Sequence, residues 1–375
     1  MPWNWQLPDW PHFTWDSPRL LRAETLFARQ AGIVAGALAH LEPATRQTLL
    51  VDSMRDEALD TSAIEGELLD RASLQSSIRR HLGLQANRDA GPAEAGIAEL
   101  MVALHHAPTR PLDHETLFAW HRLLMKAWQS RLSTGRYRSH PEPMQIVSGP
   151  DYKRRIHFEA PPSDCVEDEM TRLLAWLERT AVDGPSPLPP LARAGIAHLW
   201  FECIHPFEDG NGRIGRAIVE YLLVQSFGQP LMTGVAGSFL RQRKAYYRAL
   251  EAASRRLDAT DWLLWFAAAT IEAARRSEDR IAFVLDKARL LRGVEARLNT
   301  RQMKALLRMF EAGPEGFIGG LSAANYRAIT GTSTATATRD LSELVVLGAL
   351  LRTGSGKGSR YHLAIPQRRV EPSLL

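Results

Sequence analysis

Residues 205–216 combine side chains suited to holding a nucleotide's phosphates next to a proton acceptor. They read HPFEDGNGRIGR. The glycines Gly210 and Gly212 let the backbone approach a phosphate closely. His205, at the start of the segment, can accept a proton near neutral pH. The segment is therefore a candidate site for phosphate chemistry that involves removal of a proton.

Helical patterns flank this segment on both sides. Apolar residues recur at helical spacing over 191–204, and the pattern resumes at 217–224. The segment is thus predicted to be a loop that opens onto a helix N-terminus, where the first N–H groups lack partners and attract anions. Arg213 and Arg216 lie three apart in the first turn of that helix, so both can reach one polyphosphate. Asp209 is a hard oxygen donor that suits Mg²⁺.

Each of these features has an ordinary explanation when it stands alone. A single GxG is weak evidence, a single histidine is more often structural than catalytic, and paired arginines on a helix are usually solvated. The segment also lacks the Lys-Ser/Thr of a P-loop and the preceding strand of a Rossmann turn, which argues against those nucleotide folds. The combination of all these features in one short segment favours a nucleotide site of another kind.

Segment 205–216 resembles the signature of the Fic/Doc family, H-P-F-x-D/E-G-N-G-R-x-x-R, at every fixed position. The resemblance implies an all-helical core whose members mostly transfer AMP from ATP to a Ser, Thr or Tyr hydroxyl of a target protein. It implies that His205 deprotonates the hydroxyl, that Asp209 binds Mg²⁺ and that Phe207 anchors the loop. Five residues would bind the phosphates: Gly210, Asn211, Gly212, Arg213 and Arg216. These implied roles agree with the general mechanism of phosphoryl transfer, in which positioning and charge neutralisation dominate catalysis.

Residues 61–66 read TSAIEG and follow a predicted helix over 44–60. They resemble the family's inhibitory sequence, S/T-x-x-x-E-G/N, which precedes the core. A Glu-Gly pair at a helix end is common and weak evidence by itself, but its position upstream of the complete signature favours inhibition. The resemblance implies that Glu65 pairs with Arg216 where the γ-phosphate would bind, and we expect a bidentate pair. The resting enzyme is then predicted to be slow.

Two short strand-like runs, 144–147 and 156–158, flank a turn-rich segment and predict a β-hairpin. In the family a hairpin of this kind, the flap, covers the active site and aligns an extended target segment by strand addition. An ordinary surface hairpin is the alternative.

Residues 241–243 and 246–247 lie in a predicted helix where the family often contacts the adenine base. Gln242 is the candidate for a hydrogen bond to the base edge. The alternative is that the two tyrosines belong to the core and that their polar neighbours are solvated.

Composition agrees with a protein of several cores, because the chain has 375 residues of which 45% are apolar and 23% charged. No apolar run reaches the length of a membrane span, and residues 1–20 lack the features of a signal peptide. We therefore expect a cytoplasmic protein without a membrane partner. Two cysteines, Cys165 and Cys203, give neither a disulfide framework nor a zinc site. Four tryptophans within the first fifteen residues predict an irregular arm packed on the helical body, with a recognition surface as the alternative.

The basic surplus of the chain lies in its tail, since residues 301–375 hold ten Lys/Arg and five Asp/Glu. The pattern of this tail predicts three helices followed by two strands around a glycine-rich turn, at 302–310, 323–330, 334–347, 350–353 and 360–363. Such an order of elements predicts a winged helix.

Within the tail, the run 329–341 resembles the turn and recognition helix of bacterial winged-helix regulators. Binding of DNA would place Arg339 in the major groove and Lys357 and Arg360 on phosphates. The alternative is a winged helix that docks a protein or forms a homodimer, because a fold of this kind does not establish its function.

Taken together, these patterns predict a mainly α protein, with a helical Fic core, a β-hairpin flap and a C-terminal winged helix. Its predicted parts are an arm with helices and the inhibitory motif at 1–110, the core at 111–260, a linker helix at 261–298, and the winged helix at 299–375. The predicted activity is AMP transfer from ATP, with Mg²⁺, to a hydroxyl of a target protein and of the chain itself, restrained by Glu65. Two alternatives are removal of AMP by a water that Glu65 orients, and a transcriptional regulator whose core senses nucleotide.

Overall fold

The computed structural model divides the chain into two compact units, which meet between Arg275 and Arg276. The structure describes residues 2–106, 110–130, 132–149, 154–228, 232–313, 317 and 319–366. At residues 106 and 357 it describes the backbone but not the side chain.

The N-terminal unit consists of helices and one two-stranded hairpin, which confirms the predicted mainly α fold. In chain order its elements are α1 (Ser17–Ala39), α2 (Pro43–Ile64), α3 (Arg71–His81), α4 (Pro92–His106), α5 (His114–Leu124), β1 (Gln145–Ser148), β2 (Arg155–Glu159), α6 (Val166–Arg179), α7 (Pro190–Ile204), α8 (Asn211–Phe227), α9 (Val235–Arg241), α10 (Arg243–Ala253) and α11 (Thr260–Val294), the last of which crosses into the second unit.

Local capping sets the bounds of helix α2. Pro43 occupies the first helical turn, and the Glu42 side chain accepts a hydrogen bond from the Thr45 N–H, which satisfies one of the unpaired donors there. The helix continues to Ile64 and stops because Gly66 adopts a left-handed backbone with φ of 84°. The predicted end at residue 60 is therefore one turn too early, since no residue before Gly66 breaks the helix.

Helices α7 and α8 form the centre of the N-terminal unit. Nearly every residue of α7 is buried, and so is α8 from its first turn to Val224. A helix that is buried on all sides must be covered by neighbours on all sides. Residues 205–210, which we call the signature loop, join these two helices, so both ends of the loop are fixed by the core.

The tryptophan-rich arm packs on the helical body through α6, as predicted, and also on the hairpin, which was not predicted. The Trp3 ring meets Phe158 of β2 edge-to-face with centroids 5.1 Å apart. Trp5 Nε1 donates to the Glu159 carbonyl at 2.7 Å, and Trp10 Nε1 donates to Glu169 at 2.9 Å. The arm therefore supports β2 from outside.

The predicted hairpin is confirmed, with β1 antiparallel to β2. Pairing runs from Gln145 opposite Glu159 to Ser148 opposite Arg155, with a register shift between Ile146 and Val147. The segment that joins the strands includes residues 150–153, which lie outside the described residues.

The C-terminal unit has its own apolar core, with Leu306, Tyr326, Leu341 and Leu344 fully buried. Residue Leu321 pairs with Tyr361 beside the hairpin. Besides the end of α11, its elements are α12 (Thr300–Glu311), α13 (Ala323–Thr330), α14 (Thr334–Val346), β3 (Leu350–Thr353) and β4 (Arg360–Leu363).

These elements follow the order predicted for the tail. The linker helix ends at Val294, and a 3-10 turn over Glu295–Arg297 replaces its predicted last turn. Assignment to the winged-helix fold stays a prediction, as does DNA binding. The side chain of Lys357, one of the predicted phosphate contacts, lies outside the description.

Across the described ranges, we find no helix with both the length and the apolar character needed to cross a membrane.

Candidate active site

The signature loop begins with an unusual backbone turn. Helix α7 ends at Ile204, and His205 adopts a left-handed conformation with φ 51° and ψ 59°. A non-glycine residue in this region is strained and must be held by its surroundings. Buried Arg138 holds it, because its guanidinium donates to the carbonyl oxygens of Pro161, Ile204 and His205 at 2.6, 3.2 and 2.8 Å, and its backbone N–H donates to the Pro206 carbonyl at 2.8 Å. Arg138 lies far upstream of the loop and belongs to no motif, so its role could not be predicted from the sequence.

The middle of the loop is fixed by Phe207 and Asn211. Phe207 is fully buried and stacks on the His121 ring with centroids 4.1 Å apart. The Asn211 amide bonds both backbone groups of Phe207, accepting from its N–H at 2.9 Å and donating to its carbonyl at 2.8 Å. Its side chain is thus used within the loop, so Asn211 can contribute to an anion site only through its N–H at the start of α8. Gly210 permits this turn with φ of 80°.

His205 is neutral at physiological pH. Burial, followed by the charge of Arg138, lowers the pKa of His205 to about 4. Its Nδ1 lies 4.0 Å from Glu202 Oε2 and has no hydrogen-bond partner within the described part of the chain. A neutral imidazole can accept a proton, which is the property that a general base needs.

A cavity of about 1100 Å³ opens over the loop. Strands β1 and β2 and helix α10 form its other walls, with Ile146, Phe158 and Tyr247 among the lining residues. From the predicted site it takes Glu65, His205, Asp209, Gly210, Asn211, Gly212 and Arg216. A cavity of this size is large enough for a nucleotide.

Glu65 reaches Arg216 across the cavity floor. Its Oε1 accepts a hydrogen bond from Arg216 Nη2 at 2.7 Å. The expected bidentate pair is wrong, because Arg216 Nε donates to Thr61 Oγ1 at 2.7 Å and Nη2 also reaches the Thr61 carbonyl at 3.0 Å. The same carboxylate crowds Gly212, where a Cβ would lie only 2.3 Å from Glu65 Oε1. Glu65 therefore covers the N-terminus of α8, where phosphate binding was predicted.

Arg213 turns away from the cavity towards a second glutamate. Its Nη1 donates to Glu67 Oε2 at 2.5 Å, and its Nη2 lies 3.9 Å from Met125 Sδ. Glu67 was not among the predicted site residues, although it lies only two residues after Glu65. Both arginines of the signature are thus paired with carboxylates that follow α2.

Asp209 is exposed at the cavity, and its Oδ1 accepts the Gly210 N–H at 2.6 Å. No group of three or more His, Cys, Asp or Glu side chains forms a metal site among the residues described. Mg²⁺ in nucleotide sites is bound by one or two carboxylates together with phosphate oxygens and water. A single exposed carboxylate beside the phosphate end of a cavity fits that requirement.

Gln242 does not reach the cavity. It lies between α9 and α10, and its Nε2 donates to Glu272 Oε2 at 3.1 Å. Tyr247 of α10 lines the cavity and is 40% exposed, whereas Tyr246 is buried. Gln242 and Arg213 are therefore the predicted site residues that do not line the cavity.

The buried Glu202 carboxyl should make the stability of the protein fall as pH rises. Burial raises the pKa of Glu202 to about 8 from an ordinary 4.5. Because the unfolded state releases this proton first, the stabilisation is complete below pH 4.5 and is lost by about pH 8. The slope for one such group is at most about 1.4 kcal/mol per pH unit. Glu202→Gln should flatten this decline.

Chemical unfolding of both proteins at about pH 5 and about pH 8 measures the difference. Titrating groups far from Glu202 are common to both proteins and cancel in the comparison. The neighbouring His205 has a pKa of about 4 and is therefore neutral in the folded state over this pH range. Equal pH slopes for wild type and Glu202→Gln would contradict the assignment.

Two family models match the chain. Residues 3–84 match a domain of unknown function, DUF4172, and residues 111–223 match the Fic/DOC family.

Curated relatives match over short stretches. A probable protein adenylyltransferase of Aquifex aeolicus is 31% identical over 96 residues, which is 26% of this chain and 26% of that protein. The protein adenylyltransferase fic-1 of Caenorhabditis elegans is 29% identical over 89 residues, or 24% of this chain and 16% of that one. The chain thus spans about a quarter or less of the length of these relatives.

A solved structure resembles this chain over a larger part of its length than the curated relatives do. The Fic domain containing signaling protein of Bacteroides thetaiotaomicron matches with a TM-score of 0.52 and 18% identity, covering 68% of this chain and 96% of that one. At this identity the likeness concerns the fold alone. With the family model matched and each fixed signature position present, the chain contains a Fic/DOC family domain at residues 111–223.

Proposed function

We propose that the chain is a protein adenylyltransferase, which transfers AMP from ATP to a hydroxyl of a target protein. One observation carries the proposal: a single cavity joins neutral His205 at one end of the loop to Arg216 and the α8 N-terminus at the other. This arrangement offers a proton acceptor and an anion site at opposite ends of one loop. The relatives that are named protein adenylyltransferases support the same activity.

In the proposed reaction the target hydroxyl attacks the α-phosphorus of ATP and pyrophosphate leaves. His205 takes the hydroxyl proton, and Arg138 keeps the imidazole in place through the His205 carbonyl. The N–H groups at the start of α8 and the Arg216 guanidinium hold the phosphates. Asp209 would hold Mg²⁺, which neutralises phosphate charge when bound. Positioning and charge neutralisation supply most of the rate enhancement in such reactions.

Glu65 restrains this proposed activity by occupying Arg216. The guanidinium of Arg216 is almost entirely buried, with 2% of its side chain exposed, while 32% of Glu65 is exposed to the cavity. Arg216 Nη1 is buried without a hydrogen-bond acceptor among the residues described. A phosphate oxygen is the kind of acceptor that would satisfy it, but Glu65 lies in the way. ATP can then bind only in an unproductive pose, and the resting rate is low.

Two substitutions test the phosphate end of the cavity. Asp209→Asn should remove the dependence of AMP transfer on Mg²⁺ together with most of the activity, because one carboxylate supplies the protein's share of the metal shell. Arg216→Lys keeps the charge but loses the guanidinium fork, so productive ATP binding should weaken by roughly tenfold. Calorimetry with ATP at several Mg²⁺ concentrations, alongside a transfer assay, measures both effects.

Asp183→Asn, an exposed acid remote from the cavity, is the matched control and should behave as wild type. If Asp209→Asn and Arg216→Lys both retain wild-type affinity, metal dependence and turnover, the nucleotide does not bind at this loop.

A further inference from the structure

The hairpin of β1 and β2 and helix α10 together carry a hydrogen-bonded triad of side chains that the reaction described above does not use. Ser148 Oγ lies 2.6 Å from His157 Nε2, and His157 Nδ1 lies 3.1 Å from Glu251 Oε2. Ser148 ends β1, His157 belongs to β2 and Glu251 belongs to α10. All three line the same cavity as His205. A serine, a histidine and a carboxylate in this order form the arrangement that activates a serine as a nucleophile.

His157 is placed in this triad by an irregularity of the hairpin. Ile146 pairs with Phe158 and Val147 pairs with Ile156, so His157 is an extra residue without a pairing partner on β1. Such a bulge redirects a side chain, and bulges are frequent next to active sites. The redirected ring contacts Glu251, which also accepts a hydrogen bond from Arg155 Nη2 at 2.7 Å. Strand and helix thus fix the imidazole from two sides.

The charge of Glu251 determines which nitrogen of His157 carries the proton. Partial burial raises the pKa of Glu251, but hydrogen bonds from His157 and Arg155 outweigh this effect and the pKa is lowered overall. An anionic carboxylate next to Nδ1 requires Nδ1 to be the donor. The lone pair of Nε2 then faces the Ser148 hydroxyl, which is the tautomer that a base for serine needs.

The surroundings of the Ser148, His157 and Glu251 side chains favour a reactant that contains phosphate. The wall of the cavity formed by α10 presents three basic side chains, Arg243, Lys244 and Arg248. Cationic walls raise the local concentration of anionic ligands. ATP, which the proposed function already brings into this cavity, is a reactant of that kind.

We propose that Ser148 is an acceptor of AMP in the chain itself, with His157 as its base and Glu251 as the positioning residue. This inference rests on the proposed adenylyl transfer. Ser148 Oγ forms a bond to the α-phosphorus of ATP, and the bond from that phosphorus to the oxygen bridging to the β-phosphate breaks. Pyrophosphate leaves with the electron pair, and the serine proton passes to His157 Nε2. The products are a phosphodiester of AMP on Ser148 and pyrophosphate, after which His157 releases its proton to solvent.

Peptide mapping of the full-length Glu65→Gly protein after incubation with Mg²⁺-ATP tests this proposal. We expect AMP on Ser148, and fragmentation must distinguish it from Ser139 and Tyr152 in the same tryptic peptide, 139–153. His157→Gln should slow the labelling of Ser148 by roughly a hundredfold or more, because the base is lost. Ser148→Thr keeps a hydroxyl at this place and should retain label at residue 148, whereas Ser148→Ala should lose it. Ser226→Ala, at the far end of α8, is the matched control and should be labelled on Ser148 as before.

A parallel reaction with a cell lysate distinguishes failure of the Ser148 inference from failure of the proposed adenylyl transfer. Label on lysate proteins without label on Ser148 would overturn the inference and leave adenylyl transfer standing. Absence of AMP from every protein would overturn the proposed function and this inference with it. Unchanged labelling of Ser148 in His157→Gln would overturn the role of the triad.

Discussion

His205→Ala is expected to lower the rate of AMP transfer by roughly two to four orders of magnitude, the usual cost of losing a general base. Binding of ATP should stay close to normal. His205 lies at the α7 end of the loop, whereas Arg216 and the helix N-terminus that bind phosphate lie at the α8 end. A transfer assay with purified protein, together with calorimetry for ATP, measures the two quantities separately.

His40→Ala, at the exposed end of α1, is the matched control and should transfer AMP at the wild-type rate. An unfolding curve of His205→Ala is needed as well, because the residue adopts a strained turn that alanine also disfavours. Near-normal transfer by a folded His205→Ala protein would rule out the proposed mechanism.

Glu65→Gly is expected to raise self-modification by about five- to a hundredfold. Removing the carboxylate frees Arg216 for the γ-phosphate and so permits the productive pose of ATP. Loss of a charged hydrogen bond of this kind corresponds to about 1 to 3 kcal/mol. Because the Glu65 carboxylate accepts one hydrogen bond from Arg216 within the described residues and a third of its side chain is exposed, we expect the lower part of that range.

Intact-mass spectrometry after incubation with Mg²⁺-ATP counts the AMP groups per chain. Glu65→Gln should also show a gain, which separates loss of the charge from the extra backbone freedom of glycine at a helix end. In the double variant Glu65→Gly and His205→Ala the gain should be lost at every residue except Ser148, whose proposed base is His157. Labelling of Glu65→Gly no greater than that of wild type would remove Glu65 as the inhibitory residue.

The parts of the site that follow from local sequence were predictable. The loop, its glycines and its arginines lie within twelve consecutive residues, so their types and spacing could be interpreted together. The same holds for α13 and the two strands of the tail, whose bounds agree with the sequence because Ser322, Gly331 and the glycine-rich turn mark them locally.

Contacts between distant segments could not be predicted in this way. Arg138 reaches the loop from a segment without a motif, and Glu251 meets His157 across 94 residues of chain. Glu67 lies just after the inhibitory motif, yet only the packing of α2 on the core shows that it contacts Arg213. Gln242 was predicted to lie within a helix, but the helix is interrupted at this residue, between α9 and α10. The Gln242 amide donates to Glu272 and not into the cavity.

Position-specific labelling of ATP tests the central claim most directly. When the Glu65→Gly protein is incubated with a heat-treated lysate, in which endogenous kinases and ATPases are inactive, label in the α-phosphate should appear on protein, whereas label in the γ-phosphate should appear only in free pyrophosphate. The proposed attack at the α-phosphorus predicts both results, and the label on lysate proteins should vanish in the His205→Ala background. Transfer of the γ-label to protein, or labelling of lysate proteins that does not depend on His205, would contradict adenylyl transfer at this site.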